Sequence, residues 1–401
     1  MSLLKGASTI GGASVISQVI GALTLLFMSS RFGMADVGNY ALMMSIVLIG
    51  AQIALYASHF LLPKVDQCDF GKAVYFCFLQ SVVVSVIYAL GVSFFFTLPL
   101  IAIYVLTVSY ALMIVSENIF LRSKSFVCLA FQRISVTTIV FLSLFVAHSM
   151  AQFYLIWAGA LLCLILAWLY YGLDKKDFSK SDFRLKTQRK YLSEHWNHLS
   201  RVGTAEVVAN ASLQLPTVFI NYWFSPLVAG YFAVVNRFCL SPVLILGQSV
   251  SNYAFSKWSE DFRNKTFNYI EFKKIRSFLL AIALITVAGI YVVYPWLTHN
   301  FGNHQWEQSV ETSRLMLPYV FAMLAFVPMT VLELIFGTPK YFLRIQCEQL
   351  AIVVLAFIIM PFFYKSYVAS LLVFTVLTAG RYLMIYVYIN RHAATLNKDG
   401  V

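Results

Sequence analysis

Residues 174–201 read DKKDFSKSDFRLKTQRKYLSEHWNHLSR, the only long polar run in this sequence. The run lies near the midpoint of the 401 residues, with apolar sequence of similar extent on either side. Its basic residues outnumber its acidic ones, which by the positive-inside rule places it in the cytoplasm. We therefore predict a basic cytoplasmic linker at 174–199, between an N-terminal six-helix lobe, 1–173, and a C-terminal six-helix lobe, 200–401.

The composition predicts a polytopic, all-α membrane protein. Apolar residues make up 60% of the chain, charged residues make up 11%, and the mean hydropathy is +0.77. A soluble chain of this size would lack the polar residues to cover its surface. The net charge of +12 arises from lysines and arginines in short loops, so we expect no nucleic-acid partner. The six cysteines lack paired spacing, and we predict no metal, cofactor or catalytic residue.

Twelve apolar segments are long enough to span a bilayer, which takes about 20 residues. The first segment is too long for the apolar core of a signal peptide, so we expect a retained span. The twelve lie at about 8–30, 38–60, 74–96, 99–121, 126–148, 151–172, 200–223, 229–252, 275–297, 312–336, 344–364 and 366–390.

Loop charges support this count, because a missed span would exchange the inside and outside assignments. The loops assigned to the inside carry nearly all the lysines and arginines, whereas the outside loops keep little more than Arg31, Arg314 and Lys365. The alternation predicts both termini in the cytoplasm. It also predicts short outside loops, the largest running from His299 to about Glu311.

An internal repeat relates the two halves at a separation of 192 residues without gaps. Each half has six spans, an even number, so both enter the membrane in the same orientation. We therefore predict a pseudo-twofold axis along the membrane normal and a cavity between the lobes. The matching pairs are Ser8 and Ser200, Gly11 and Gly203, Ala13 and Ala205, Val15 and Val207, Phe27 and Phe219, Phe32 and Phe224, Gly38 and Gly230, Ala41 and Ala233, and Leu48 and Leu240.

Charged residues inside spans are candidates for function, because each costs about 2.5 to 3.5 kcal/mol at a helix centre. Arg237 and Arg381 are predicted near the middle of the bilayer. We predict that they bind an anionic substrate, since a guanidinium fork suits phosphate. Arg133 and Arg31 are further candidates for anion binding.

Acidic residues supply candidates for coupling or for ion pairs, namely Glu206 and Glu117. A structural ion pair, for example between Glu206 and Arg237 on adjacent helices, is the alternative to a substrate site. Four groups lie close enough to a helix end to be interfacial: Glu117, Glu333, Glu348 and His59. For the three acidic residues we expect solvation at the headgroups. Prolines inside predicted spans, which permit kinks, are concentrated in the second half: Pro216, Pro242, Pro318, Pro328 and Pro361.

The N-terminal sequence LKGASTIGGASVISQVIGALTLLFMSSRFGMADVGNYALMMSI and the two six-helix halves resemble one transporter family. This family is the Wzx-type O-antigen flippases of the multidrug/oligosaccharidyl-lipid/polysaccharide (MOP) exporter superfamily. The most specific part is RFGMADVGNYA, residues 31–41. Where a proline often follows the first glycine in the family, this chain has Met34, whereas its second repeat keeps Pro226.

The resemblance implies a transporter, not an enzyme. Its implied substrate is an undecaprenyl-pyrophosphate-linked oligosaccharide, an O-antigen or capsule repeat unit. Alternating access would carry this substrate across a bacterial cytoplasmic (inner) membrane, with other polysaccharide assembly proteins as partners. A MATE-like drug or cation antiporter is one alternative, although such a protein would be expected to hold deep carboxylates. A membrane polysaccharide polymerase is another, although it would usually carry a large outside loop.

The predicted orientation can be checked by cysteine labelling at Ser179 and Asn303, in a variant without the native cysteines. A membrane-impermeant maleimide added to intact cells is expected to modify Asn303→Cys and to spare Ser179→Cys until the cells are permeabilised. Modification of Ser179→Cys alone in intact cells would reverse the orientation.

Overall fold

A computed structural model describes residues 3–173, 184–302, 305–336 and 339–398. The described residues are almost entirely helical and contain no strand. Within these ranges, twelve helical rods, each a single helix or several consecutive helical elements, follow one another along the chain. They are α1 (Leu3–Arg31), α2 (Met34–Leu55), α3 (Gln67–Ser93), α4 (Leu100–Arg122), α5 (Phe126–Val146), α6 (Met150–Gly172), α7 (Leu185–Trp223), α8 (Pro226–Arg263), α9 (Tyr269–Phe301), α10 (Ser309–Ala325 continued by Val327–Thr330 and Val331–Phe336), α11 (Pro339–Val354 continued by Leu355–Ile359 and Met360–Phe363) and α12 (Tyr367–Lys398).

The all-α membrane fold is confirmed. Each of the twelve predicted segments falls mainly within one rod. Among the described residues, eleven helical stretches are long and apolar enough to cross a membrane. The rod outside this group is α7, whose membrane part carries polar residues, among them Glu206, Asn210 and Gln214. The chain is therefore a multi-pass membrane protein.

The predicted linker differs from a loop along much of its length. Its residues 174–183, and with them Ser179, lie outside the described residues, as does Asn303. Residues 185–199 form the first turns of the 39-residue helix α7. In these turns, Gln188 donates a hydrogen bond to the Lys72 carbonyl oxygen at 3.4 Å, and the Tyr191 ring lies 5.4 Å from that of Phe76. The polar run is thus partly an amphipathic helix that packs on α3.

Contacts between helices divide the chain into two compact units. Unit 1 comprises Met1–Phe32 and Tyr40–Gln214, and unit 2 comprises Gly33–Asn39 and Leu215–Val401. In unit 1, α1 packs along α5, and α4 packs along α6. In unit 2, α10 packs between α9 and α12. The lobe boundaries and the pseudo-twofold axis remain predictions.

Aromatic side chains form the centre of each unit. In unit 1, Phe153 stacks on Trp157 at 5.7 Å between ring centroids, and Tyr110 meets the same indole edge-on at 6.3 Å. In unit 2, the Phe374 ring lies 5.1 Å from Tyr319 and 5.3 Å from Phe357. Because lipid tails are as apolar as these rings, the rings stabilise the units through close packing between helices.

The connection between α2 and α3 is fixed by an arginine from α4. Tyr56 and Ala57 have φ values of 43° and 64°, so the chain turns in the left-handed region after α2. Arg122 Nη1 then donates to the carbonyl oxygens of Leu62 at 2.7 Å and Val65 at 2.6 Å. These bonds satisfy backbone groups that no helix serves.

Two helices of unit 2 depart from α-helical geometry just before a proline. π-Helical turns occur at Asn236–Leu240 in α8 and at Leu355–Ile359 in α11, each two residues before a proline. Pro242 and Pro361 have no N–H to donate to the carbonyl four residues earlier. The helix widens in the turn before each proline, where the N–H of the preceding residue bonds five residues back, from Ser241 to Asn236 in α8 and from Met360 to Leu355 in α11.

Two glycines paired by the repeat contact each other's helix within unit 2. A Cβ on Gly38 would overlap the Pro226 carbonyl oxygen and lie 2.8 Å from the backbone nitrogen of Gly230. A Cβ on Gly230 would in turn overlap the carbonyl oxygen of Met34. Met34 and Pro226 are themselves 192 residues apart, so the contact is reciprocal. Only glycine at both positions permits this backbone approach.

Gly38→Ala is expected to lower the melting temperature of the purified protein, because the added methyl group displaces backbone and costs about 1 to 3 kcal/mol. Gly91→Ala is the matched control, since a Cβ there meets nothing within 4 Å and alanine favours helix. Thermal unfolding in detergent measures both variants. Equal melting temperatures for Gly38→Ala and Gly91→Ala would contradict the close approach.

Candidate functional site

Arg381 on α12 is held by three groups of α11. Its Nε donates to Glu348 Oε2 at 3.2 Å, its Nη1 donates to Gln349 Oε1 at 2.9 Å, and its Nη2 donates to the Ile345 carbonyl oxygen. The three partners share one helix face at spacing i, i+3 and i+4. With a side chain only 9% exposed, Arg381 has every guanidinium nitrogen engaged.

The Glu348 carboxylate balances the positive charge of Arg381, for which the sequence alone indicates no partner. Its second oxygen accepts a hydrogen bond from Arg344 Nε at 2.6 Å. Gln349 extends the network by donating to Thr378 Oγ1 at 3.5 Å. The sequence predicts Glu348 to be solvated at the headgroups, whereas the structure places its carboxylate between two arginines. Arg381 thus has the surroundings of a structural ion pair.

Arg133 in unit 1 has a different environment. Its Nε donates to Glu117 Oε1 at 3.2 Å, and its Nη1 donates to Ser14 Oγ at 3.3 Å. The side chains of Arg133 and Glu117 are 36% and 19% exposed. Within the described ranges, Nη2 of this guanidinium makes no hydrogen bond. Since a charge is costly in hydrocarbon, the exposed part of this pair has to face water or a polar ligand.

The other two candidate arginines occupy dissimilar positions. Arg31 ends α1, donates from Nη1 to the Leu144 carbonyl oxygen near the end of α5, and lies 5.3 Å above the Phe32 ring. Arg237 lies half-buried in the π turn of α8. A cation at the carboxyl end of a helix is favourable for the helix dipole. Arg31 thus links the end of α1 to the end of α5.

Glu206 lies in a polar seam between α7 and α2 of unit 1. Its Oε2 accepts a hydrogen bond from Gln52 Nε2 at 3.3 Å. In the part of the chain that the structure describes, no lysine, arginine or histidine forms a salt bridge with Glu206. The rest of the seam consists of Ser45 Oγ to Gln214 Oε1 at 3.2 Å, Asn210 Nδ2 to the Leu48 carbonyl oxygen at 2.9 Å, and Tyr56 Oη to Thr204 Oγ1 at 2.7 Å.

Comparisons with known proteins identify the fold. No family model matches the chain, and no curated protein matches its sequence. Solved transporters match its structure at low sequence identity. The lipid II flippase MurJ in an inward closed conformation has 12% identity and a TM-score of 0.70, with 96% of this chain and 90% of that chain covered.

Two MATE proteins are also similar. The MATE multidrug transporter DinF-BH in complex with R6G has 14% identity and a TM-score of 0.67, covering 97% of this chain and 96% of that one. An inward-facing MATE transporter of the MOP superfamily has 12% identity and a TM-score of 0.64, covering 97% and 100%. This chain has the MOP superfamily transporter fold. These structural neighbours are transporters and a flippase.

Within this MOP fold, sequence reasoning misses two buried groups near helix ends. Glu333 on α10, predicted to be solvated, is only 4% exposed, and its Oε1 lies 2.5 Å from His392 Nδ1. His59 is also buried, against the Phe60 ring at 4.1 Å, and burial lowers its pKa to about 4. The solvation prediction is wrong for Glu333. Distance from a helix end does not show which groups a neighbouring helix covers.

Arg381→Ala is expected to lower both the melting temperature and the amount of protein in the membrane. It removes charge-assisted hydrogen bonds to Glu348 and Gln349, at a cost of about 2 kcal/mol. Arg344→Ala is the matched control, because Arg344 pairs with the same carboxylate from a side chain that is 72% exposed. Such a pair contributes less than about 0.5 kcal/mol. Equal losses in the two variants would contradict the central position of Arg381.

Proposed function

We propose that this protein is a flippase for a lipid-linked oligosaccharide. Its substrate carries a pyrophosphate, as in an undecaprenyl-pyrophosphate-linked O-antigen or capsule repeat unit. The protein moves this substrate between the leaflets of a bacterial cytoplasmic membrane by alternating access. It acts as a transporter and catalyses no covalent step. The bilayer and other polysaccharide assembly proteins are its partners, and both termini lie in the cytoplasm.

The partly exposed side chain of Arg133 is the observation that carries this proposal. An arginine inside a membrane protein that keeps Nη2 available and faces a polar space is suited to a phosphate oxygen. Its partner Glu117 keeps the guanidinium charge balanced when no substrate is bound. A phosphate that approaches Nη2 joins the pair, and Nε keeps its bond to Glu117. Of the four candidate arginines, Arg133 is therefore the best suited to bind the phosphate.

The remaining candidates contribute in different ways. Arg237 is proposed as a second contact for the anion, because it sits at a π turn, where such irregular helix geometry is frequently found at functional sites. Arg381 is proposed to set the local charge and to hold α11 against α12, with its three bonds intact. Arg31 is proposed to fix α1 to α5, the helix that carries Arg133.

The likeness to MurJ supports a lipid-linked substrate. MurJ is named as a lipid II flippase, and it matches nearly the whole of both chains. A MOP fold alone does not select this substrate, since MATE transporters share it. The candidate arginines are the reason for proposing a phosphate-bearing lipid as the substrate.

A cation antiporter is the second candidate function, and Glu206 is the observation that favours it. A carboxylate whose observed partner is the Gln52 amide retains charge for a proton, a metal cation or an organic cation. DinF-BH was solved in complex with R6G. If this chain is a MATE-like antiporter, its expression should lower cellular accumulation of R6G, and Glu206→Gln should abolish that effect.

Substitutions at Arg133 and Glu117 test the flippase proposal in a strain that lacks the native gene. Arg133→Ala is expected to reduce surface polysaccharide more than about tenfold, the equivalent of 1.4 kcal/mol, with normal membrane abundance. Arg133→Lys keeps the charge but loses the fork, so partial activity is expected. Glu117→Gln leaves the guanidinium in place and is expected to retain transport.

Glu117→Gln is also the control for a purely structural ion pair. If the pair only joined α4 to α5, both Arg133→Ala and Glu117→Gln would lose abundance and polysaccharide together. Normal polysaccharide in Arg133→Ala, at normal abundance, would refute anion binding by Arg133.

A further inference from the structure

A groove of about 480 Å³ lies on unit 2, between the carboxyl-terminal part of α8 and the start of α9. One part of its wall is polar, formed by Tyr253, Glu271 and Lys274. The other part is apolar, formed by Val250, Ile275 and Phe278. The groove therefore joins a charged end to a surface that suits hydrocarbon, which is the division found in a phospholipid.

The acidic group of the groove is held in place by its neighbours. Tyr253 Oη donates to Glu271 Oε1 at 3.0 Å. Asn268 caps the start of α9, since its Oδ1 accepts a hydrogen bond from the Glu271 backbone N–H at 3.0 Å. These contacts fix both the backbone and the carboxylate of Glu271. The second carboxylate oxygen has no described partner and is available to a ligand.

The basic group of the groove is Lys274, three residues after Glu271 on α9. Among the described residues, Lys274 and Glu271 form no salt bridge with each other, so the groove presents two separate charges. Nearby lysines are occupied. The Lys273 ammonium lies 4.6 Å from the Tyr269 ring centroid, and the Lys257 ammonium lies 3.9 Å from Asp261. Lys274 is thus the cation that the groove offers to a phosphate.

The apolar wall continues from these charges along α9. Phe278 is 54% exposed and lies one turn beyond Lys274. Tyr253 is 56% exposed, as expected for a tyrosine at the boundary between headgroups and hydrocarbon. An acyl chain that follows Ile275 and Phe278 would therefore place its headgroup beside Lys274 and Glu271.

We propose that this groove is a binding site for a phospholipid whose headgroup carries a phosphate and a primary ammonium. Lys274 binds the phosphate, and the ammonium donates hydrogen bonds to the Glu271 carboxylate. A choline headgroup has no N–H to donate, so it lacks the second contact. An anionic headgroup without an ammonium would meet the Glu271 carboxylate as a like charge. Phosphatidylserine has the ammonium but adds a carboxylate, a like charge to that of Glu271. The proposed ligand is therefore phosphatidylethanolamine, independent of the substrate that the protein transports.

Native mass spectrometry of the purified full-length protein tests this site. It measures the bound fraction of phosphatidylethanolamine, phosphatidylcholine and phosphatidylglycerol of identical acyl chains. The wild type is expected to bind phosphatidylethanolamine more than about fivefold better than phosphatidylcholine, because charge-assisted hydrogen bonds to Glu271 are lost with choline. Glu271→Gln is expected to abolish this difference, and Lys274→Gln to weaken binding of both lipids.

Lys273→Gln is the matched control, since Lys273 adjoins Lys274 in sequence but does not line the groove. It should leave the preference unchanged. Tyr253→Phe keeps the Glu271 charge and should retain the preference. This variant therefore distinguishes the effect of losing the carboxylate from the effect of a changed groove structure. Equal binding of the two zwitterionic lipids by the wild type, or an undiminished preference in Glu271→Gln, would overturn the proposal. Tighter binding of phosphatidylglycerol than of phosphatidylethanolamine would also overturn it.

Discussion

Within a bilayer, every backbone amide and every charge must find its partner inside the protein, because hydrocarbon offers none. This constraint accounts for the helical fold, in which each segment satisfies its own amides. It also accounts for the places where a helix departs from α-helical geometry or ends. Where a proline removes a donor in α8 and α11, the turn before it is π-helical, and the residue ahead of the proline still bonds within the helix, five residues back. Where α2 ends and the chain turns, Arg122 supplies donors to two free carbonyls.

The local part of this constraint is readable from sequence, and the helices were predicted well for that reason. Twenty apolar residues between basic loops specify a span without knowledge of any neighbour. The helix ends were predicted less well. Residues 185–199 are polar enough to suggest a loop, yet Gln188 and Tyr191 lie on one face and pack against α3. Such an extension depends on the surface that another helix provides.

The candidate site was only partly predictable for the same reason. Position along a span gives the depth of a charge, but its partner depends on the register between two helices. Glu348 and Arg381 are 33 residues apart, and nothing local shows that their side chains meet. The internal repeat is more informative about contacts, because glycines at equivalent positions of the two halves are required for the same close approach of backbone. Gly38 and Gly230 share a position in the repeat, and each accommodates the backbone at which the other's helix begins.

Two arginine–glutamate pairs with the same 3.2 Å separation therefore differ in what they can do. For Arg381, an incoming phosphate would have to displace an amide, a carbonyl and a carboxylate, so binding would forfeit bonds worth about 1 kcal/mol or more each. For Arg133, under the proposed function, a phosphate would add to Nη2 while the bonds to Glu117 and Ser14 persist. The exposed third of its side chain also means that less of the phosphate's hydration has to be removed. Under the proposed function, a substrate site must release its ligand as well as bind it, and a partly exposed guanidinium with one carboxylate partner suits both requirements.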